Sequence, residues 1–197
     1  MNPYYTPHVI IESAEAMFLC PPQDFLFTNK RSIEVVGEIN TESVHSIILQ
    51  LKYLQQADPE ALICIHINSP GGSVVEGLAL YDVMQAISCP IRTVCVGMAA
   101  SMGALLFAAG DKRDMLPHAE IMIHDPLVTT GINSKSALSL QEESQRLMKI
   151  RQTTAEILAK HSGHSIDEIY EKTKTDTYFT ADEAVAFGLA DRIIHEI

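Results

Sequence analysis

A serine, a histidine and an aspartate of this chain each stand where a side chain leaves a regular element. Together they supply the parts of a nucleophilic relay. Ser101 lies in Gly97-Met98-Ala99-Ala100-Ser101-Met102-Gly103-Ala104, between an apolar β-type run, Ile91 to Val96, and an apolar helical run, Ala104 to Ala109. A hydroxyl at such a strand-to-helix junction sits near the positive end of the helix dipole. Small neighbours let a substrate backbone approach it. A nucleophilic serine needs that exposure and rigid support, with backbone N–H groups close by for a developing oxyanion. The same small residues also serve plain packing of a helix on a sheet, so the company Ser101 keeps decides the reading. His124 follows the apolar strand Ile121-Met122-Ile123 and precedes Asp125-Pro126, which makes it project from a rigid edge. Asp176 stands in Thr175-Asp176-Thr177-Tyr178, where alone it reads as a turn carboxylate. Nucleophile, general base and orienting carboxylate are the three roles of acyl-transfer chemistry.

Ser69-Pro70-Gly71-Gly72 adds a fourth part. Read as a strand-to-helix turn, it aims free backbone N–H groups into a cleft and forms one side of an oxyanion hole, with the N–H of Met102 as the other. No Gly-Lys-Ser/Thr follows it, so it is not a phosphate loop. The order Ser, His, Asp along the chain differs from that of α/β-hydrolases, and Ala99 occupies the first glycine position of a Gly-x-Ser-x-Gly elbow. Both points exclude that class.

The elements that must position these groups alternate in type. Ile33 to Val36 reads as a strand ended by Gly37, and Thr41 to Gln55 as a helix with Val44, Ile47, Ile48, Leu51 and Leu54 on one face. Leu62 to Ile67, Val74 to Ile87 and Ile91 to Val96 continue as strand, helix and strand, which predicts an α/β domain with a largely parallel sheet. A long helix begins between Ser134 and Ser139, where Ser139-Leu-Gln-Glu142 can form a capping box, and stops at Gly163. Its length of about 33 to 40 Å overshoots a compact domain of this size, so it either projects or lies flat across the surface. Ser165 to Glu168 and Thr180 to Glu183 predict two further capped helices, and Arg192 to Ile197 a closing strand. Residues 1–30 are the least readable: Pro3, Pro7, Pro21 and Pro22 interrupt long elements, and His8 to Glu12 reads as a short strand.

Composition sets the outer bounds. A chain of 197 residues with 47% hydrophobic and 20% charged residues suits a single globular domain. Its net charge of −11 argues against a nucleic-acid surface. Cys20, Cys64, Cys89 and Cys95 form no CxxC pair, which disfavours zinc, and the apolar setting of most of them predicts buried free thiols. The opening MNPYYTPHVIIESAEAMF lacks a basic stretch followed by an apolar core, and no run of about 18 apolar residues follows, so a cytoplasmic protein is expected.

Four segments carry a resemblance. Ile67-Asn-Ser-Pro-Gly-Gly72, Gly97 to Ala104, Met122-Ile-His-Asp-Pro126 and Ala181-Asp-Glu-Ala-Val-Ala-Phe-Gly-Leu189 are similar, in order and spacing, to the proteolytic subunit of the Clp protease, across residues 31–195. The resemblance implies a crotonase-like α/β fold with a projecting handle helix at residues 135–161, seven-membered rings stacked in pairs, and peptide hydrolysis inside the resulting barrel. It makes Ser101 the nucleophile, His124 the base, Asp176 the orienting carboxylate, and Gly72 with Met102 the oxyanion donors. It implies no cofactor bound by this chain, with ATP used by a partner AAA+ unfoldase, unfolded polypeptides as substrates, and no nucleic-acid or membrane partner. Residues 1–30 would form an N-terminal segment and 31–197 the peptidase domain.

The chain departs from the family pattern at several points. Asp125 replaces a usual Gln after the base, where it becomes a rival orienting residue, and Thr175 replaces a usual Arg. Cys64, His66 and Ala86 stand at commonly aromatic positions of the unfoldase-docking pocket. Two other functions therefore remain open: a catalytically weak ring subunit that supports an active paralogue, and an acyl-CoA hydratase or isomerase on the same fold. The second would need carboxylates near the oxyanion turn, and Ser69 to Val75 contains none.

Overall fold

A computed structural model describes residues 8–12, 17–127 and 136–197. Two strands, β1 (Val9–Glu12) and β2 (Met17–Cys20), pair antiparallel, and α1 (Pro22–Lys30) follows. This helix was not legible in the sequence. Its prolines stand at and just before the first helical turn, where a missing N–H costs nothing.

The alternating part of the chain builds a seven-stranded sheet. Strands β3 (Ser32–Ile39), β4 (Ile63–Gly72) and β5 (Ile91–Ala100) are parallel neighbours, linked by α2 (Thr41–Ala57) and α3 (Val74–Ala86). Both β3 and β4 run further than their sequences suggest. Gly37 does not end β3; it sits at a register shift between Val36 and Glu38, and the strand continues to Ile39. Ser69 to Gly72 is not a turn but the last part of β4, with Gly71 opposite Glu38 and Gly72 opposite Ile39. The turn signal of Pro-Gly-Gly is overridden because β3 offers a paired edge for the full length of β4.

Strand β5 forks the sheet. Its first half, Arg92 to Cys95, pairs with β6 (Lys112–Met115), and its second half, Met98 to Ala100, pairs with β7 (Glu120–Ile123). Helix α4 (Met102–Ala108) leaves from the end of that fork, with all seven residues buried between the sheet, α3 and the long helix α5 (Ala137–Ser162). A helix apolar on every face belongs inside the core, not on it.

The last third comprises α5, α6 (Ile166–Thr173), β8 (Thr177–Thr180), α7 (Ala181–Ala186) and β9 (Arg192–Ile193). The predicted capping boxes at Ser165 and Thr180 form; the one at Ser139 does not. Helix α5 starts earlier, with the Ser136 side chain accepting from the Ser139 N–H, and Gly163 closes it in the left-handed region at φ 79°. The expected closing strand is cut to two residues. It is held by Asp114 of β6, fully buried, which accepts from Arg92 Nε at 2.6 Å and Arg192 Nε at 2.7 Å. Burial pushes the Asp114 carboxyl up, but Arg192 and Arg92 outweigh it and hold it below the ordinary carboxylate range.

Helix α5 is divided along its length. Its buried residues, Thr154 to Ala159 apart from Glu156, lie in the C-terminal half, whereas Leu138, Leu140 and Met148 toward its N-terminus are 73%, 49% and 57% exposed. It therefore projects from the body of the domain. Cys89 and Cys95 are buried as expected, while Cys20 and Cys64 are partly exposed. No helix among the described residues is long and apolar enough to cross a membrane.

Candidate active site

Ser101 occupies the single residue between β5 and α4, at φ 55° and ψ −120°. A non-glycine residue holds so strained a conformation only where its surroundings over-determine it. Two constraints are visible. The Ser101 N–H donates to the Met122 carbonyl at 2.8 Å, which ties the turn to β7, and α4 begins at once with buried Met102. The outcome is an elbow that throws the hydroxyl clear of both strand and helix, reached here without the Gly-x-Ser-x-Gly spacing.

His124 is the first residue beyond β7, and its Nε2 lies 2.8 Å from Ser101 Oγ. On the other edge of the ring, Nδ1 is 3.5 Å from Asp176 Oδ1. With the carboxylate on the Nδ1 side, the proton belongs on Nδ1, and Nε2 is left to accept from the serine hydroxyl. The sheet explains why these two residues meet. β7 and β8 run antiparallel with Ile123 opposite Thr177, so one further step of the same ladder sets His124 opposite Asp176. The sequence reading placed Asp176 in a turn between helices; β8 is the element it missed. Asp176 is looser than the rest of the relay, with its side chain 60% exposed against 14% for His124.

Asp125 is not a rival for the imidazole. Its carboxylate accepts from Arg151 Nε of α5 at 2.6 Å and from Thr173 Oγ1 at the end of α6 at 2.7 Å, and its N–H donates to the Thr173 carbonyl at 2.8 Å. The Arg151 guanidinium also lies 3.9 Å from the centre of the Tyr170 ring. Asp125 thus clasps the segment carrying His124 to the helix that leads into Asp176.

Around the nucleophile the packing is close. A β-carbon on Gly71 would come within 2.7 Å of Ser101 Cβ and 3.1 Å of the Met102 nitrogen, so only glycine lets β4 pass beside the elbow. Gly72 turns its bare side the other way, where a β-carbon would fall 2.2 Å from the Ile39 carbonyl oxygen. Met102, as the first residue of α4, carries an N–H with no partner inside the helix. A small cavity of about 20 Å³ touches Ser101 and His124, lined also by Val74, Leu105, Pro126 and Thr154. Larger cavities lie elsewhere, one of them of about 400 Å³ beside α1. Val74, Leu105 and Thr154 were not singled out in the sequence, and Gly71 only as part of the Ser69 to Gly72 segment, without its role beside Ser101.

The family model for Clp protease matches residues 24–197. The chain belongs to the Clp protease family. Membership agrees with the mixed, mostly parallel sheet and the seven helices among the described residues, which are consistent with the crotonase-like fold, and supports a peptidase function of the serine type. Membership points to self-assembly and to association with Clp unfoldases in general.

Proposed function

We propose that this chain is a serine endopeptidase subunit that hydrolyses unfolded polypeptides to short peptides. The observation that carries the reading is the 2.8 Å contact between His124 Nε2 and the hydroxyl of Ser101, made at a strained elbow. His124 takes the Ser101 proton as the hydroxyl attacks the scissile carbonyl. Asp176 holds the imidazole tautomer and supports its positive charge. The tetrahedral oxyanion is met by backbone N–H groups, with Met102 and Gly72 as the donors. The leaving amine takes the proton back from His124, and water then releases the acyl product by the same path. The test is labelling by a fluorophosphonate probe together with peptide turnover. Wild type should label and cleave, and Ser101→Ala should do neither; labelling that survives the substitution overturns the assignment.

The looseness of Asp176 favours a second reading, a weakly active ring subunit that depends on a paralogue. Purified protein assayed alone on a short fluorogenic peptide separates the two. Turnover by the pure assembled ring supports the first reading, and an assembled but silent ring supports the second.

For assembly, stacked seven-membered rings with α5 at the ring-to-ring contact fit the exposed Leu138, Leu140 and Met148 of that helix. An AAA+ unfoldase would then feed substrate at the ring face. The expected docking pocket carries Cys64, His66 and Ala86, a shallower and more polar lining than aromatic residues give. Losing one aromatic anchor typically costs about 2 kcal/mol, roughly thirtyfold in affinity. Weak stimulation of folded-protein degradation by this chain alone is therefore expected, and tight saturable stimulation would contradict it.

A further inference from the structure

A second relay lies on β3 and β4, apart from the serine site. Cys64 and His66 are two residues apart on β4 and so share a face, and the ladder sets Ser32 and Glu34 of β3 directly across from them. His66 Nε2 is 3.6 Å from the Cys64 sulfur, and Nδ1 is 3.1 Å from both Glu34 Oε1 and Ser32 Oγ. Cys64 is partly exposed, and the side chains of His66 and Glu34 are 14% and 45% exposed. We propose that Cys64, His66 and Glu34 form a thiol–imidazole–carboxylate relay that makes Cys64 a site of reversible exchange with small disulfides of neutral or positive charge.

Three arguments select this chemistry over its neighbours. The sulfur and the carboxylate touch opposite edges of the imidazole, so the three groups cannot converge on one metal ion. The Cys64 N–H donates to the Arg31 carbonyl at 3.0 Å, within a paired strand, so the thiol has no free backbone donor for the oxyanion of acyl transfer. Attack on sulfur generates no oxyanion and needs none. Charge then narrows the partner. The cavity of about 400 Å³ that borders Ser32 and Glu34 also carries Asp24, with Leu26 and Phe27 as its apolar wall. Arg92, across the ladder from Cys64 on β5, is committed to Asp114 at 2.6 Å. Both charged groups that line this cavity, Asp24 and Glu34, are acidic. Among the described residues the Arg31 guanidinium meets only backbone carbonyls and Cys89, and it is not in that lining. The cavity therefore disfavours an anionic disulfide.

The step balances without a further reagent. With the proton shared by the pair resting on His66, the Cys64 sulfur attacks one sulfur of the small disulfide, a new S–S bond forms and the old one breaks. The departing thiolate takes the proton from His66, giving a mixed disulfide on Cys64 and one equivalent of free small thiol. The contact with Cys64 first, and Glu34 second, raise His66 to about 9, against the lowering effect of burial, so the imidazole holds the shared proton at neutral pH before the attack.

The experiment uses the full-length protein, cystamine as a cationic disulfide, oxidised glutathione as an anionic one, and peptide mapping by mass spectrometry. Cys20, partly exposed and without a side-chain hydrogen bond among the described residues, is the internal reference. Cys64 should form its mixed disulfide with cystamine at least about tenfold faster than Cys20, and faster than the same residue in urea-unfolded protein. Oxidised glutathione should be slower, a reducing thiol should restore the free cysteine, and His66→Gln should bring Cys64 down to the rate of Cys20. A native rate no higher than the unfolded one overturns the relay without any variant being needed. An unchanged rate in a folded His66→Gln protein overturns the role of the imidazole. Equal rates with the two disulfides overturn the charge selection.

Discussion

Asp125 shows how one carboxylate can serve a site it does not enter. It faces away from the imidazole, yet its bonds to Arg151 and Thr173 join β7, α5 and α6 within one residue of His124 and three of Asp176. Asp125→Ala is expected to cost about 1–2 kcal/mol of stability, as charge-assisted hydrogen bonds at a partly exposed site do. It should also lower kcat about tenfold with a smaller change in KM, because it loosens the register that sets His124 against Asp176. Urea denaturation and steady-state peptide kinetics check the two parts, and a changed KM with an intact kcat would refute the positioning role. Gly71 is a sharper case. Gly71→Ala must move Ser101 or β4 by several tenths of an ångström, and at φ 97° it adds backbone strain. Peptide turnover should fall about a hundredfold, while fluorescence and circular dichroism still report a folded chain. At this scale the candidate relay residues were legible and their supports were not. Ser101 and His124 stand in compact segments whose neighbours announce them. The partners of Asp125 lie 26 and 48 residues away and carry no local pattern.

Among the elements, legibility followed length and periodicity. Helix α2 was found because its apolar residues repeat at helical spacing, and β5 because Ile91 to Val96 is rich in apolar and β-branched residues. The short strands β6 and β8 have four residues each, too few for alternation to register, and each is a strand only because a neighbour pairs with it. Strand β9 depends on more than its ladder. Buried Asp114 receives Arg92 from one side and Arg192 from the other, so β5, β6 and β9 share one carboxylate. Asp114→Asn leaves two guanidinium groups facing a neutral amide, one of them largely shielded. A loss of about 3 kcal/mol is expected, seen as a lower urea midpoint with an unchanged denaturant slope. Rapid hydrogen exchange at Ile194, whose N–H bonds the Met115 carbonyl at 2.8 Å, should accompany it. A variant as stable as wild type would show that β9 is held by packing alone.

For the molecule as a whole, two histidines give stability opposite slopes on either side of about pH 6.5. His161, at the end of α5, is pushed down to about 4 by burial first and by Lys160 and Arg113 next, so the folded state resists protonation. Its contribution is complete above pH 6.5 and is lost as pH falls toward 4. His66 is raised to about 9, so its contribution is complete below pH 6.5 and is lost as pH rises through 9. Urea midpoints across pH should flatten on the acid limb in His161→Gln and on the alkaline limb in His66→Gln; slopes unchanged by either variant would refute the assignment. Assembly follows from the divided α5. Light scattering should find a large oligomer at micromolar concentration, and a stable monomer there would contradict the proposed ring contact. Subunits that each carry −11 repel one another, so moderate salt should favour the oligomer. The exposed leucines and methionine of α5 add a property of a different kind, because the attraction between apolar surfaces near room temperature is driven by entropy and weakens on cooling. If those side chains hold two rings together, chilling should part them and warming should rejoin them, which makes temperature a reversible handle on how many subunits share a particle.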